Sequence, residues 1–476
     1  MKIPFQSPAR KRLVAAVALA LATLYLGLVS LEFIASFAGN RTGLTWLKAA
    51  AWLDPLNADY HDHLGRYYDL VARDPVSAIG QYEKAVHLNQ HSASYWFDLA
   101  SAYQVLGDTA NQTTALERAI LADSKTPDVA WEAANLYLVQ GDSEKALREF
   151  RVVMANDTSL AAPAIQASWR MNPDVDILLR DVVPPTADAY IAFLTLLEGN
   201  VGLQLRKAAS APDDTDVGAL ALQIRNETES TFKIWDALMR SHQPFDKRFA
   251  YEYVRFLIQQ KEVDQAVAVW QQMTSRFELS GYLPTLENQV VNSTFTLDVL
   301  NNPFDWQYER QPGVGLTLEP LETPHQDEPA QIGFFAKLFN FVTRTFRSAP
   351  APSPHVRGPR SLMITFDGPR ISDAGFYQLV PVLPNTKYQF SARYQNKGEQ
   401  EGAGGPHFTI TDMYSQATYY ESDELRDADS WKKVDGEFTT SPDCKLVVLH
   451  VRRLPANSPI RGKLWIDDFR IIRKPS

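Results

Sequence analysis

Trp96-Phe97-Asp98-Leu99-Ala100-Ser101-Ala102-Tyr103-Gln104-Val105-Leu106-Gly107-Asp108 is the stretch that decides the architecture of the first half of this chain. Leu99 and Tyr103 share one helical face, and Gly107-Asp108 reads as a helix stop followed by a cap. The same pattern returns on both sides. Leu64-Gly65 precedes Tyr68 and Ala133-Ala134 precedes Tyr137, so the three tyrosines lie 35 and 34 residues apart. Gly141-Asp142 repeats Gly107-Asp108 after 34 residues, and Ala85, Ala119 and Val153 follow one another at 34 and 34. Small residues such as Ala85, Ala119, Ala134 and Ala146 let helices approach closely, while Tyr68, Tyr103 and Tyr137 fill the space between them. No such unit buries its apolar face alone, so neighbours must stack.

Three units in register resemble the tetratricopeptide repeat, whose period is about 34 residues. The matching residues are Trp96, Leu99, Tyr103, Gly107, Leu116 and Ala119 in one unit. In the next they are Ala130, Ala133, Ala134, Tyr137, Gly141, Ala146 and Phe150. The resemblance implies an all-α solenoid over residues 41–282, with clear repeats over 57–160 and divergent ones over 161–282. Leu47, Ala50 and Asp54-Pro55 form a leading half-unit, and residues 250–273 fit one late unit. In tetratricopeptide domains the first helix of each unit lines a concave face. Register then assigns Asp62, Arg66 and Asp69, then Phe97, Ser101 and Gln104, then Trp131, Asn135 and Leu138 to a groove for a protein partner. Phe97 and Trp131 are either partner anchors or core. His61-Asp62-His63 is not read as a metal pair, since helical residues two apart face different ways; it reads as a solvated face.

Beyond residue 283 the apolar period changes from 3.6 to 2. Strand-like runs stand at 289–291, 361–366, 388–394, 407–410, 446–451 and 463–469, separated by turn signals such as Asp367-Gly368 and Pro384-Asn385. Many short strands of this kind imply an antiparallel sandwich or barrel. The order Val291-Asn292-Ser293-Thr294-Phe295, Asn302-Pro303-Phe304-Asp305-Trp306, 382–388, Trp431 before Phe438 and Trp465-Ile466-Asp467-Asp468 resembles the galactose-binding-like jelly roll of bacterial carbohydrate-binding modules, over 285–476. In that family an acidic residue of the last strand binds a structural calcium. Asp467 matches it, but Thr296 stands where the family places a second carboxylate. Sugar contact is expected at Tyr419-Tyr420, read as a loop beside Glu421 and Asp423. Trp306 and Tyr394, also aromatic, are expected in the core.

Residues 319–360 interrupt the strands. Phe335, Leu338, Phe339, Val342 and Phe346 share one helical face there, with Lys337, Arg344 and Arg347 off it. That basic amphipathic helix has three candidate partners: its own sandwich, another protein, or lipid.

At the other end, residues 13–31 carry no charge and would reach about 28 Å at ~1.5 Å per residue, close to a bilayer core. Lys2, Arg10, Lys11 and Arg12 precede them without an acidic residue. The positive-inside rule then leaves residues 1–12 as a cytoplasmic tail, 13–38 as a single span, and the rest outside the cytoplasm. The competing reading is a signal peptide cleaved after Ser36-Phe37-Ala38.

A net charge of −9 argues against a nucleic-acid partner. One cysteine, Cys444, permits neither an internal disulfide nor a multi-cysteine zinc site, and its place at the start of an apolar run suits a buried thiol. There is no phosphate loop and no serine elbow. Glu421, Asp423 and Glu424 could supply a glycosidase pair, but loop carboxylates are usually only solvated. The fold class expected is multi-domain α plus β: a transmembrane helix, a helical solenoid and a C-terminal jelly roll. The layout resembles bacterial membrane-anchored tetratricopeptide proteins tied to exopolysaccharide production and export. It implies a non-catalytic scaffold on the periplasmic side of the cytoplasmic membrane, with a protein partner, a possible polysaccharide ligand and no cofactor beyond that calcium; the alternatives are a glycan-binding surface protein whose solenoid is a spacer and, third, a glycan-modifying enzyme.

Overall fold

Three aspartates at the repeat period start three helices in one way. In the computed structural model, which describes residues 8–210, 217–321, 357–368, 371–396, 404–453 and 459–475, the carboxylates of Asp74, Asp108 and Asp142 act as caps. They accept the backbone N–H of Ser77, Asn111 and Lys145, each at 3.1 Å. Such a cap satisfies donors left free by the first turn and contributes about 1 kcal/mol. The residue before each cap is left-handed: Gly107 at φ 75°, Gly141 at φ 81° and Arg73 at φ 55°. Glycine adopts that conformation freely and arginine does not.

The first unit has one extra residue between its tyrosine and its capping aspartate. The chain absorbs it as a π-helical turn, Tyr67–Ala72. Its closing hydrogen bond runs from Asp74 N to Tyr68 O at 2.8 Å, where the later units use Asp108 N to Tyr103 O at 3.0 Å and Asp142 N to Tyr137 O at 2.9 Å.

These turns connect the helices α1 (Pro8–Gly39), α2 (Leu44–Leu53), α3 (Ala58–Arg66), α4 (Pro75–Leu88), α5 (Ala93–Leu106), α6 (Thr109–Ala122), α7 (Pro127–Gln140) and α8 (Ser143–Asn156). There follow α9 (Ala161–Met171), α10 (Val175–Ile177, continued by a π turn), α11 (Ala187–Ala209) and α12 (Val217–Ser241). Together they make the first compact unit, which ends at Phe245. Ala85, Ala100, Ala119, Ala133 and Ala146 are wholly buried, as close helix approach requires. Tyr82 and Tyr137 are buried with them, while Tyr68 and Tyr103 are only half-buried and pack at the margin. His61 is buried too, with Nδ1 3.0 Å from Gln81 Oε1 and Nε2 3.2 Å from Pro55 O. The solvated reading of His61-Asp62-His63 therefore holds only for His63.

The second unit begins at Asp246, not where helix gives way to strand. Its first elements are α13 (Lys247–Gln259) and α14 (Val263–Arg276), joined by the same kind of left-handed turn, with Lys261 at φ 64° and Glu262 N donating to Leu257 O at 2.9 Å. This hairpin is tied to the loops of the chain that follows. Trp270 Nε1 donates to Tyr282 O at 2.9 Å, and its ring meets Phe304 edge-on at 5.7 Å. Arg255 donates to Asn302 Oδ1 at 2.7 Å, and Tyr414 donates to Ile258 O at 2.8 Å.

The strands are β1 (Trp306–Tyr308), β2 (Val314–Pro320), β3 (Arg360–Gly368), β4 (Asp373–Pro381), β5 (Lys387–Asn396), β6 (Pro406–Asp412), β7 (Thr418–Glu421), β8 (Lys432–Thr439), β9 (Leu446–Arg453) and β10 (Ile460–Arg473). They form two antiparallel sheets, ordered β1-β4-β9-β6-β7 and β2-β3-β10-β5-β8. Between them lies an aromatic core in which Trp306 stacks on Phe376 at 4.7 Å and meets Phe469 at 4.8 Å. Tyr394 belongs to the same core. The run 289–291 is not a strand. Val291 instead exchanges both backbone hydrogen bonds with the side-chain amide of Gln378, at 3.0 and 2.9 Å. Phe335, Leu338, Phe339, Val342 and Phe346 lie outside the described residues.

Candidate functional site

Helices α3, α5 and α7 are the first helices of three successive repeats, so their residues at one register position line up across the stack. Asp62 on α3 is only 2% exposed. Arg66, one turn on, places Nε 3.0 Å from Asp62 Oδ2 and Nη2 2.7 Å from Asp98 Oδ2 on α5. Asp62 Oδ1 has no hydrogen-bond partner. Burial, with the Asp98 carboxylate beside it, pushes the Asp62 carboxyl up to about 8 against the pull of Arg66. Burial and then Asp98 also raise Asp69 on the following turn and Glu132 on α7. Asp62 and Asp98 thus hold one guanidinium between them, with Asp69 and Glu132 in the field of Asp98. Such a surface suits a cationic side chain from outside.

Of the residues assigned to the groove by register, Asp62, Arg66 and Asp69 take part in this cluster. Ser101, Gln104 and Leu138 are half-buried, and Asn135 is exposed. Phe97 is no surface anchor. It is 2% exposed and belongs to the core of the repeats, because α5 is covered on both sides by its neighbours. Trp131 is half-buried, its ring edge-on to Phe150 at 5.4 Å. Asp98 and Glu132 escaped the register reading, although the 34-residue spacing between two carboxylates was visible in the sequence.

In the second unit, Tyr419 and Tyr420 lie in β7 rather than in a loop. Tyr419 donates to Ser441 Oγ at 2.8 Å and stacks on Phe438 at 6.3 Å. Tyr420 turns inward onto Phe390, at 5.1 Å. Both rings are half-buried and pack against the core of the sandwich. Glu424 is ion-paired with Arg426 at 2.9 Å.

Asp467 is wholly buried, and its Oδ2 lies 2.8 Å from Arg393 Nη2 on the neighbouring strand β5. The guanidinium supplies there the positive charge that calcium would bring. Among the described residues no group of three or more His, Cys, Asp or Glu could hold a metal ion. Asp467 Oδ1 is buried without a hydrogen-bond partner, and a calcium there would want several further hard oxygen ligands.

A different surface emerges from strand register. Phe376, Val380, Leu449, Phe408 and Ile410 point into the core, so the residues between them point outward. Gln307, Tyr377, His450, Thr409 and Glu421 then form one row across β1, β4, β9, β6 and β7. His450 Nε2 lies 2.8 Å from Asp373 Oδ1. Gln307 Nε2 and Thr409 Oγ1 are buried without a hydrogen-bond partner. At one end of the same sheet, a cavity of about 410 Å³ is lined by Val263, Val267, Trp270, Phe304, Val382 and Leu383, with the Lys445–Asp264 ion pair at 2.5 Å on its wall.

No protein-family model matches the chain. No curated protein matches it either. Solved structures do. MamA matches at 22% identity over 27% of this chain and 77% of its own, with a TM-score of 0.24. The CBM22-1 xylan-binding domain of Paenibacillus barcinonensis Xyn10C matches at 14% identity over 39% of this chain and 93% of its own, with a TM-score of 0.23. YrrB, a TPR protein with an unusual peptide-binding site, matches at 10% identity over 49% of this chain and 92% of its own, with a TM-score of 0.21. The chain itself combines a helical unit with a tetratricopeptide-like repeat, a two-sheet antiparallel β-sandwich and, among the described residues, one apolar helix near the N-terminus long enough to cross a membrane.

Proposed function

We propose that this chain is a membrane-anchored, non-catalytic scaffold whose repeat groove holds a protein partner of an envelope or exopolysaccharide assembly outside the cytoplasm. The observation that carries the reading is the ion-paired Asp62, Arg66 and Asp98, with Asp69 and Glu132 in the field of Asp98, a group shared by three repeats and richer in carboxyl groups than in positive charge. Affinity purification of the full chain from its own membrane, followed by mass spectrometry, tests it. Asp98→Asn with Glu132→Gln should lose a partner that the parent chain retains. Recovery of the same proteins by both would remove the groove from the account.

The anchor reading is supported by the last turn of α1. Ala35 and Ala38 are buried there, so cleavage after Ala38 would strip packing from the first repeat. A reporter fused after Ser476 should be active only outside the cytoplasm, and the mature chain should keep residues preceding Ala38. Activity in the cytoplasm would reverse the orientation.

A second reading, glycan binding by the sandwich, is favoured by the outward polar row that includes Gln307 and Thr409. Two buried groups without partners are suited to the hydroxyls of a sugar. A glycan array probed with the full chain and with Thr409→Val tests it. Equal signals, or none, would leave the sandwich as a protein-contact module.

A further inference from the structure

Helix α2 has the sequence Leu44-Thr45-Trp46-Leu47-Lys48-Ala49-Ala50-Ala51-Trp52-Leu53, with one charge in ten residues. A helix apolar all round is ordinarily buried all round. This one is not. Leu47, Ala50 and Ala51 face the repeat, but Trp46 is 48% exposed and Trp52 is 79% exposed. Leu56, in the turn that follows, is also 79% exposed.

Where those residues stand is decided by the end of α1. Gly39 packs so closely on the Tyr60 ring that an added Cβ would fall 2.5 Å from it. The Tyr60 hydroxyl lies beside Ser36, within the field of Glu32 on α1 and of Asp54 at the end of α2. Phe37 meets Trp46 edge-on at 6.2 Å. So α2 turns back along α1, and its far end returns to the level of Glu32 and Ser36. That level is one turn beyond the uncharged run 13–31. Phe33, 72% exposed, and Phe37, 48% exposed, continue the apolar surface of α1 up to it.

The geometry points to a second membrane contact: the α2 turn, through Trp52 and Leu56, with Trp46 and Phe37 beside it, lies in the headgroup layer of the bilayer that α1 crosses. This rests on reading α1 as a membrane span. Tryptophan, with an apolar body and one N–H donor, is suited to that layer, and an interfacial helix sinks its apolar face about 5–10 Å into it. The residues from Phe33 to Gly39 rise about 10 Å at ~1.5 Å per residue, which matches that depth. The first repeat is therefore seated on the membrane in one orientation, with no loose tether between anchor and repeats.

Site-directed spin labelling of the full chain in liposomes tests this. Cys444 is buried and its thiol is pushed up to about 11 by burial, so reagents reach only introduced cysteines. Labels go to Trp52→Cys, Leu56→Cys, Leu21→Cys within the span, and Leu121→Cys on a distant exposed apolar position. Labels at 52 and 56 should collide with a water-soluble nickel complex at least about threefold less often than the label at 121, at headgroup depth. If 21 reads hydrocarbon while 52 and 56 match 121, the interfacial seat is wrong and the anchor stands. If 21 is itself aqueous, the anchor reading falls and this one with it.

Discussion

Asp62 is a carboxylic acid held where its charge is least welcome. Its ordinary value is 3.8 and the folded chain raises it to about 8, through burial first and Asp98 second. The groups facing it are Asp98 on α5, Arg66 and Asp59 on its own helix, and Tyr82 on α4. A raised value means that the folded state holds the proton more tightly than the unfolded one. The associated stability is present below about pH 4 and is lost as pH rises through about 8. Thermal melting of the first unit should therefore fall between pH 5 and pH 8.5. Asp62→Asn should flatten that slope and exceed the parent at high pH by on the order of 1 kcal/mol, about 2–4 °C. A parent chain with a flat profile would show that Arg66 already neutralises the site. Trp131 answers a related question. Half-buried against Phe150, it should lose about 1–2 kcal/mol on replacement by alanine, less than the ~3–5 of a fully buried ring. A larger loss in chemical denaturation would assign it to packing alone.

At the scale of elements, the repeat turn is the recurring device. Asp108→Ala should cost about 1 kcal/mol, since it frees the N–H of Asn111 at the start of α6. Arg73 gives the opposite expectation. It occupies at φ 55° the place that Gly107 and Gly141 fill in later repeats. Arg73→Gly should stabilise by about 0.5–1 kcal/mol, because glycine adopts the left-handed region without steric penalty. Denaturant midpoints measure both. A destabilised Arg73→Gly would mean that the π-helical turn before it depends on the arginine.

At the scale of the whole molecule, the change of hydrophobic period and the division into packed units fall at different places. The period changes near residue 283, whereas the second unit starts at Asp246. The α13–α14 hairpin is repeat-like in its turn, yet Trp270 packs on Phe304, Arg255 bonds to Asn302 and Ile258 to Tyr414 in the sandwich region. A fragment starting at Asp246 should melt in one transition. One starting at Leu283 should melt lower by roughly 10 °C or more, because the Trp270–Phe304 contact and its neighbours are gone. Equal melting points would make the hairpin a passenger.

Some of this was legible in the chain alone. Gly107-Asp108 and Gly141-Asp142 mark helix ends by local chemistry, and the apolar spacing around Tyr103 and Tyr137 is a property of one helix. The extra residue after Tyr68 was countable, though not that a π turn would absorb it. Strand runs such as 361–366 were readable because alternation is local as well. Which face meets solvent was not. Phe97 lies on a helix covered from both sides, and Trp52 on one left bare, yet each is an apolar residue in an apolar pattern. The pairing of Asp467 with Arg393 depends on a register across two strands that are distant in sequence. The Asp62 cluster depends on three helices stacked in order. Periodicity records how one element divides its own surface, so sequence determined the elements and their repeat. Burial, charge pairing and the exposure of the turn after α2 depend on what packs against each element, and only the tertiary structure decided those.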